Sequence, residues 1–248
     1  MTEVRPHREE EAPPLPLPLP VLLSFVAGYV DSYTYLTLFG LFVAQVTSSF
    51  VIAGAEIVTH DYAVAGKLLV IVAFLVAVAL TAALIGVARD AGRPLLPSML
   101  LLEAGLLAIF AAMLVFGPPI KDATDCHGIV AGLVAASAMG AQSVLVRLLM
   151  KGIPQTNVMT GNMTQLGIAT TELIIAWRRF ARGPHGATAA REFEEVRSQL
   201  LTVLAIALGF LAGAAAGAVA FAVTGVSGTF VSVAIVAALA LWTLYRER

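Results

Sequence analysis

Asp31 carries the sharpest chemical implication in this chain, being a carboxylate about a dozen residues into the apolar segment 19–42. A charge at the centre of a membrane helix costs at least about 2.5 to 3.5 kcal/mol on insertion scales, so a neighbour must satisfy it or a proton must neutralise it. Asp31 is therefore read in two ways. It is either the site of a coupling proton or cation, or a structural acceptor for Ser32, Thr34, Gln142 or backbone nearby. Glu103, midway along the apolar segment Leu95 to Phe116, is the second coupling candidate. Its plainer reading is a neutral acid bonded to a neighbouring helix. Two polar clusters complete the set of substrate-binding candidates. Gln45, Thr47, Ser48 and Ser49 form one; Asn157, Thr160, Gly161 and Asn162, with Gln142 upstream, form the other. Such oxygens and amides hold a polar solute or ion where a helix is interrupted, or they bond one helix to another.

Other chemistries find little purchase. His7, His60, His127 and His185 are scattered, and Cys126 is the single cysteine, in an expected loop. Neither C-x-x-C nor H-E-x-x-H spacing occurs, so no metal and no cofactor are expected. No G-x-S-x-G stands beside a base, and an enzyme is not expected; an intramembrane enzyme using Asp31 and Glu103 is the remaining catalytic alternative. Fifteen Lys plus Arg against 16 Asp plus Glu leave a net charge of −1. No basic face is left for nucleic acid. The expected partners are the lipid bilayer and an unidentified small solute or ion, with a homodimer as an open alternative.

The elements that must position these groups follow from composition. At 59% hydrophobic and 12% charged, with mean hydropathy +0.89, the 248 residues exceed the apolar content of a soluble domain. About 20 helical residues cross a hydrocarbon core. Six segments qualify: 19–42, 68–88, 95–116, 128–150, 200–223 and the shorter 229–245. Segments 44–58 and 157–177 are too polar to face lipid and are expected as short broken or re-entrant helices. Glu56 and Glu172 would be interfacial, and His60 and Asp61 would lie in an outer loop. Lys and Arg accumulate on the cytoplasmic side. Six spans with both termini inside put thirteen basic residues inside and Lys67 and Lys121 outside, whereas eight spans give eleven to four. Arg147 either snorkels to headgroups or attracts an anionic substrate.

The chain also echoes itself. Thr47 precedes Gly54 by seven residues, as Thr160 precedes Gly167; upstream, Asp31-Ser32 corresponds to Gln142-Ser143. Downstream, Ala73 and Ala77 correspond to Gly209 and Gly213, and Gly217 continues the small-residue stripe. These five residues are read as a helix-packing seam. Three spans per half is odd, so the halves must be inverted, with their short helices expected to converge near the midplane. The sequence Asn162-Met163-Thr164 matches a glycosylation acceptor, discounted at membrane depth.

Gly28-Tyr29-Val30-Asp31-Ser32, the Thr47 segment and Thr160-Gly161-Asn162 resemble the YoaK-type family of bacterial multi-pass membrane proteins, a domain of unknown function, over nearly the whole chain. Its Met-Thr-Gly-Asn element is intact here only as Met159 to Asn162. In the first half this chain reads Gln45-Val46-Thr47-Ser48-Ser49 where the family often has histidine before that element. The resemblance implies a fold and a membrane location, and no substrate.

The expected architecture is thus an all-α integral membrane protein of six spans and two short helices in an inverted 3+3 repeat. Residues 1–18 form a disordered proline-rich cytoplasmic tail, 19–117 the first repeat, 118–127 an outer linker, and 128–248 the second repeat with a cytoplasmic insert at about 178–198. The expected work is transport of a small solute or ion by alternating access across a bacterial inner membrane. The rival is a non-transporting scaffold or accessory protein.

Overall fold

The computed structural model describes residues 17–59, 64–91, 94–182 and 187–246. The expected tail, and the positions of His7, His60, Asp61 and His185, lie outside the described residues apart from Leu17 and Pro18. Within them the chain is all-helical: α1 (Pro18–Thr37), α2 (Thr47–Thr59), α3 (Val64–Asp90), α4 (Leu95–Phe116), α5 (Cys126–Leu149), α6 (Met159–Arg182), α7 (Ala187–Thr224) and α8 (Phe230–Arg246), with a 3-10 turn, Gly225–Thr229, before α8. Four stretches are long and apolar enough to cross a membrane: Val64–Asp90, Leu95–Phe116, Cys126–Leu149, and Ala190–Arg246, which takes in most of α7, the 3-10 turn and α8. Leu68, Leu69, Val72, Leu75, Val76 and Leu80 of α3 are exposed, as lipid-facing side chains must be. This is a membrane protein.

Local chemistry sets the helix ends. Pro18 occupies the first turn of α1, where a missing N–H is harmless. The carboxylate of Asp125 accepts the His127 N–H at 2.9 Å and caps α5. Cys126 therefore lies in the first turn of a helix rather than in a loop. At the other end of α1 the helix stops at Thr37, short of the expected Phe42. Phe39 and Gly40 adopt φ of 53° and 81°, which a continuing right-handed helix excludes. A similar stop follows α5, which ends at Leu149, with Gly152 at φ 79°. Nine residues, 38–46, separate α1 from α2, and nine, 150–158, separate α5 from α6.

Two expected boundaries change. The second short helix is 24 residues long, and the expected insert is largely helical, because α7 starts at Ala187 and runs 38 residues without interruption. Arg179 and Glu192 pair at 3.1 Å and Phe180 stacks on Phe193 at 5.9 Å, so α6 and the start of α7 form a helical hairpin. The sequence there alternates Arg with Glu and supports a solvated helix as readily as a loop.

The helices pack in two parallel pairs. Methyl groups added at Gly209 and Gly217 of α7 would sit 2.9 Å from the Val21 carbonyl oxygen and 2.6 Å from that of Tyr29, and one at Gly213 would overlap the Phe25 carbonyl. Advancing four residues on α7 advances four on α1, so the two run side by side in the same direction. The glycine stripe thus faces α1, within one chain. Gly140 of α5 likewise approaches the Phe74 carbonyl of α3, at 2.9 Å from an added methyl, and Ala77, at 3.1 Å. Ala77 is buried and Ala73 half-buried. Helix α4 packs between α5 and α8, α2 lies on α3, and α6 on α7. Hydrogen bonds from Tyr29 Oη to Gly228 O (2.7 Å) and from Tyr33 Oη to Gly225 O (2.8 Å) tie α1 to the 3-10 turn.

Candidate functional site at two helix breaks

Asp31 is buried on α1, and its carboxylate holds the first break. Oδ1 accepts the N–H groups of Val43 (2.9 Å) and Ala44 (2.7 Å), and Oδ2 that of Gln45 (3.0 Å). Three consecutive backbone donors that would be orphaned ahead of α2 are thereby satisfied. Of the structural partners considered for Asp31, backbone is the one realised here. The same carboxylate edges a groove of about 270 Å³ between α1, the break and α7, lined also by Ser32, Gln45 and Phe210.

The second break is held by amides and hydroxyls. Gln142 of α5 donates through Nε2 to the Leu23 carbonyl (2.9 Å) and to Thr156 Oγ1 (2.8 Å). Ser24 Oγ donates to the carbonyls of Thr156 (3.0 Å) and Ile206 (2.8 Å), and Asn157 Nδ2 to Ser143 Oγ (2.5 Å). Gln142 and Asn157 are almost fully buried, yet Gln142 Oε1 and Asn157 Oδ1 have no partner among the described residues, and neither has Gln155 Oε1. An unpaired buried acceptor costs about 1–3 kcal/mol. Open acceptors clustered at one break are what a bound donor or cation would complete.

The two breaks answer one another. Ser49 Oγ donates to the Phe42 carbonyl at 3.3 Å, and Asn162 Nδ2 to the Gln155 carbonyl at 2.7 Å, each seven residues upstream. Ser49 and Asn162 are buried, whereas Thr47, Thr160 and Gly161 are exposed and Ser48 half-buried. A methyl group on Gly161 would meet only Val158, at 3.6 Å, so close helix packing does not account for this glycine. The breaks do not share one level. The second is fastened at Leu23 and Ser24 and the first folds back to Asp31, seven residues or ~10 Å further along the α1 axis. A methyl group on Gly132, early in α5, would meet Leu38 at 3.5 Å and the Leu41 side chain closer still. The two breaks come from opposite ends of α1, and Asp31 and Ser24 fasten them on either side of its middle.

Glu103 on α4 is completely buried, and neither carboxylate oxygen has a hydrogen-bond partner among the described residues. Glu56, read as interfacial, forms a largely buried ion pair with Lys67, their side chains 13% and 7% exposed, which clips α2 to α3. Arg147 is exposed at the end of α5. The His127 ring nitrogen Nε2 lies 2.9 Å from the Met113 carbonyl, and Cys126 is a free, exposed thiol. No group of three or more His, Cys, Asp or Glu able to hold a metal occurs among the described residues. Ser24, Gln155 and Thr156 carry no pattern that sequence reasoning could have used, since each gains its role from a partner over a hundred residues away or from the break itself.

Residues 19–242 match a family model described as a protein of unknown function, DUF1275. The chain belongs to the DUF1275 family. The matched region runs from the start of α1 into α8 and contains both breaks, so the family resemblance read from the Gly28–Ser32 and Thr160–Asn162 segments holds. No curated protein and no solved structure matches the chain.

Proposed function

We propose that this DUF1275 protein is a transporter for a small solute or ion, with its two helix breaks as the working parts. The observation that carries the reading is the pair of buried amide oxygens, Gln142 Oε1 and Asn157 Oδ1, open at an interrupted helix. Unwound segments of this kind coordinate ions and polar solutes inside membranes. In this reading α1, α3, α4, α5, α7 and α8 span a bacterial inner membrane, with both termini cytoplasmic and the second break on the cytoplasmic side. The halves form an inverted 3+3 repeat. Supporting that are the equal nine-residue breaks, the matched Ser49 and Asn162 bonds, and the reciprocal pairing of α1 with α7 and α5 with α3.

Asp31 and Glu103 are the coupling groups. A proton on Asp31 weakens the charge-assisted bonds to residues 43–45 and loosens the first break; Glu103 is a buried carboxyl with both oxygens available. Thr47, Ser48, Ser49, Gln45, Thr160, Gly161 and Asn162 line or brace the path. Alternation then consists of opening one break while the other stays fastened.

A thermal-shift screen of detergent-purified protein against metabolites and ions selects a ligand, since binding to the folded state raises apparent stability. Uptake of that ligand into proteoliposomes is then compared for the native protein, Asn157→Ala and Asp31→Asn. Lost uptake with unchanged folding supports transport; saturable binding with no uptake by the native protein in either direction refutes it and favours an accessory role.

A further inference from the structure

We infer that the cavity beside the second break is a binding site for a phospholipid headgroup carrying N–H donors, of the ethanolamine type. This is independent of transport. The cavity, about 410 Å³, lies between α3, α5 and the break; Val78, Ala82 and Leu148 supply apolar walls, and Ser143, Arg147 and Gln155 its polar groups. Leu148 and Val158 at its rim are exposed apolar residues, as a site entered from the acyl-chain region requires. Arg147 stands two residues before the end of α5, and it has no ion-pair partner among the described residues. A planar guanidinium at a membrane boundary matches a phosphodiester bidentately. Basic pockets between membrane helices bind headgroups in this way.

Arginine alone would accept any phospholipid. Gln155 supplies the discrimination. Its side chain lines the cavity, its Oε1 is buried without a partner among the described residues, and the soft terminal torsion of the amide lets that oxygen reorient to a ligand. An ammonium group with hydrogens fills that vacancy, whereas a trimethylammonium group has none to donate and is bulkier. One headgroup thus meets both demands: phosphate on Arg147 and primary ammonium on Gln155 and Ser143, with acyl chains along Val78, Ala82 and Leu148.

The test compares phosphatidylethanolamine with phosphatidylcholine of identical acyl chains, titrated onto delipidated full-length protein and read by native mass spectrometry. Ethanolamine lipid should bind about tenfold more tightly, the equivalent of one charge-assisted hydrogen bond. Arg147→Gln should weaken both lipids by about tenfold or more. Gln155→Leu should leave choline-lipid binding unchanged and erase the preference. Water-soluble glycerophosphoethanolamine should compete poorly, because it lacks the chains that contact the apolar walls. Equal binding of the two lipids, undiminished binding by a folded Arg147→Gln protein, or competition by the soluble headgroup as effective as the lipid itself would each overturn the inference.

Discussion

Removing the carboxylate of Asp31 isolates what fastens the first break. In Asp31→Ala the N–H groups of Val43, Ala44 and Gln45 lose their acceptors. At about 1–3 kcal/mol for each buried donor left unsatisfied, the ceiling is several kcal/mol. The break relaxes and admits water at the neighbouring groove, so the expected loss is ~3–5 kcal/mol. Asp31→Asn keeps a carbonyl oxygen for Val43 and Ala44 but turns an amide N–H₂ toward the Gln45 N–H. Two bonds survive without charge assistance, and the expected loss is ~1–3 kcal/mol. Unfolding in mixed micelles, followed by Trp177 and Trp242 fluorescence, ranks native, Asn and Ala proteins in that order. Opening of the break is read separately by thiol labelling of Phe42→Cys in a Cys126→Ser background, where Asp31→Ala should accelerate labelling. An Ala protein within ~0.5 kcal/mol of native, or Asn and Ala equally costly with unchanged labelling, would show that the carboxylate does not hold the break.

The other expectations concern packing and the buried ion pair. Gly213→Val should destabilise by more than ~3 kcal/mol, because any side chain there meets the Phe25 backbone, whereas Gly105→Ala, with nothing within 4 Å, should be neutral or gain up to ~1 kcal/mol; paired thermal melts in detergent decide. Glu56→Gln should cost ~3–5 kcal/mol by leaving the buried Lys67 ammonium without its counter-charge, and the double variant Glu56→Leu/Lys67→Met should recover most of it, with detergent melts of the single and double variants as the check. Ser24→Ala removes the hydroxyl shared between the Thr156 and Ile206 carbonyls and should cost ~1 kcal/mol, with faster thiol labelling at Val158→Cys in the cysteine-free background. Asp122 is held below the usual carboxylate range by hydrogen bonds from Thr124. Thr124→Val should let its pKa rise toward the ordinary value, visible in carboxyl NMR shifts, and should remove stability that is present above the unfolded pKa and lost as pH falls.

The helices and the small-residue seam were legible because they are written in local terms. An apolar run of 20 or more residues has few alternatives in lipid, and Gly209, Gly213 and Gly217 at four-residue spacing mark one helical face wherever that face packs. The polar clusters stood out because Thr47-Ser48-Ser49 and Thr160-Gly161-Asn162 interrupt apolar surroundings, and each falls in the first turn of a helix after a nine-residue break. The candidate site was only half visible. Asp31 and Gln142 stand out as polar groups in apolar segments, but no local pattern says that one accepts from backbone twelve to fourteen residues ahead while the other reaches Leu23, 119 residues away.

What the amino-acid order alone determined is the membrane setting and the all-helical class, since hydropathy and spacing act over one or two turns. Tertiary structure decided the level of each break, the burial of Glu56 against Lys67, the length of α6 and α7, and which oxygens stay unpaired. These depend on partners far apart in the chain. A buried polar atom is satisfied or left open according to what the folded helices bring within about 3 Å of it, and that distance is not a property of any segment by itself.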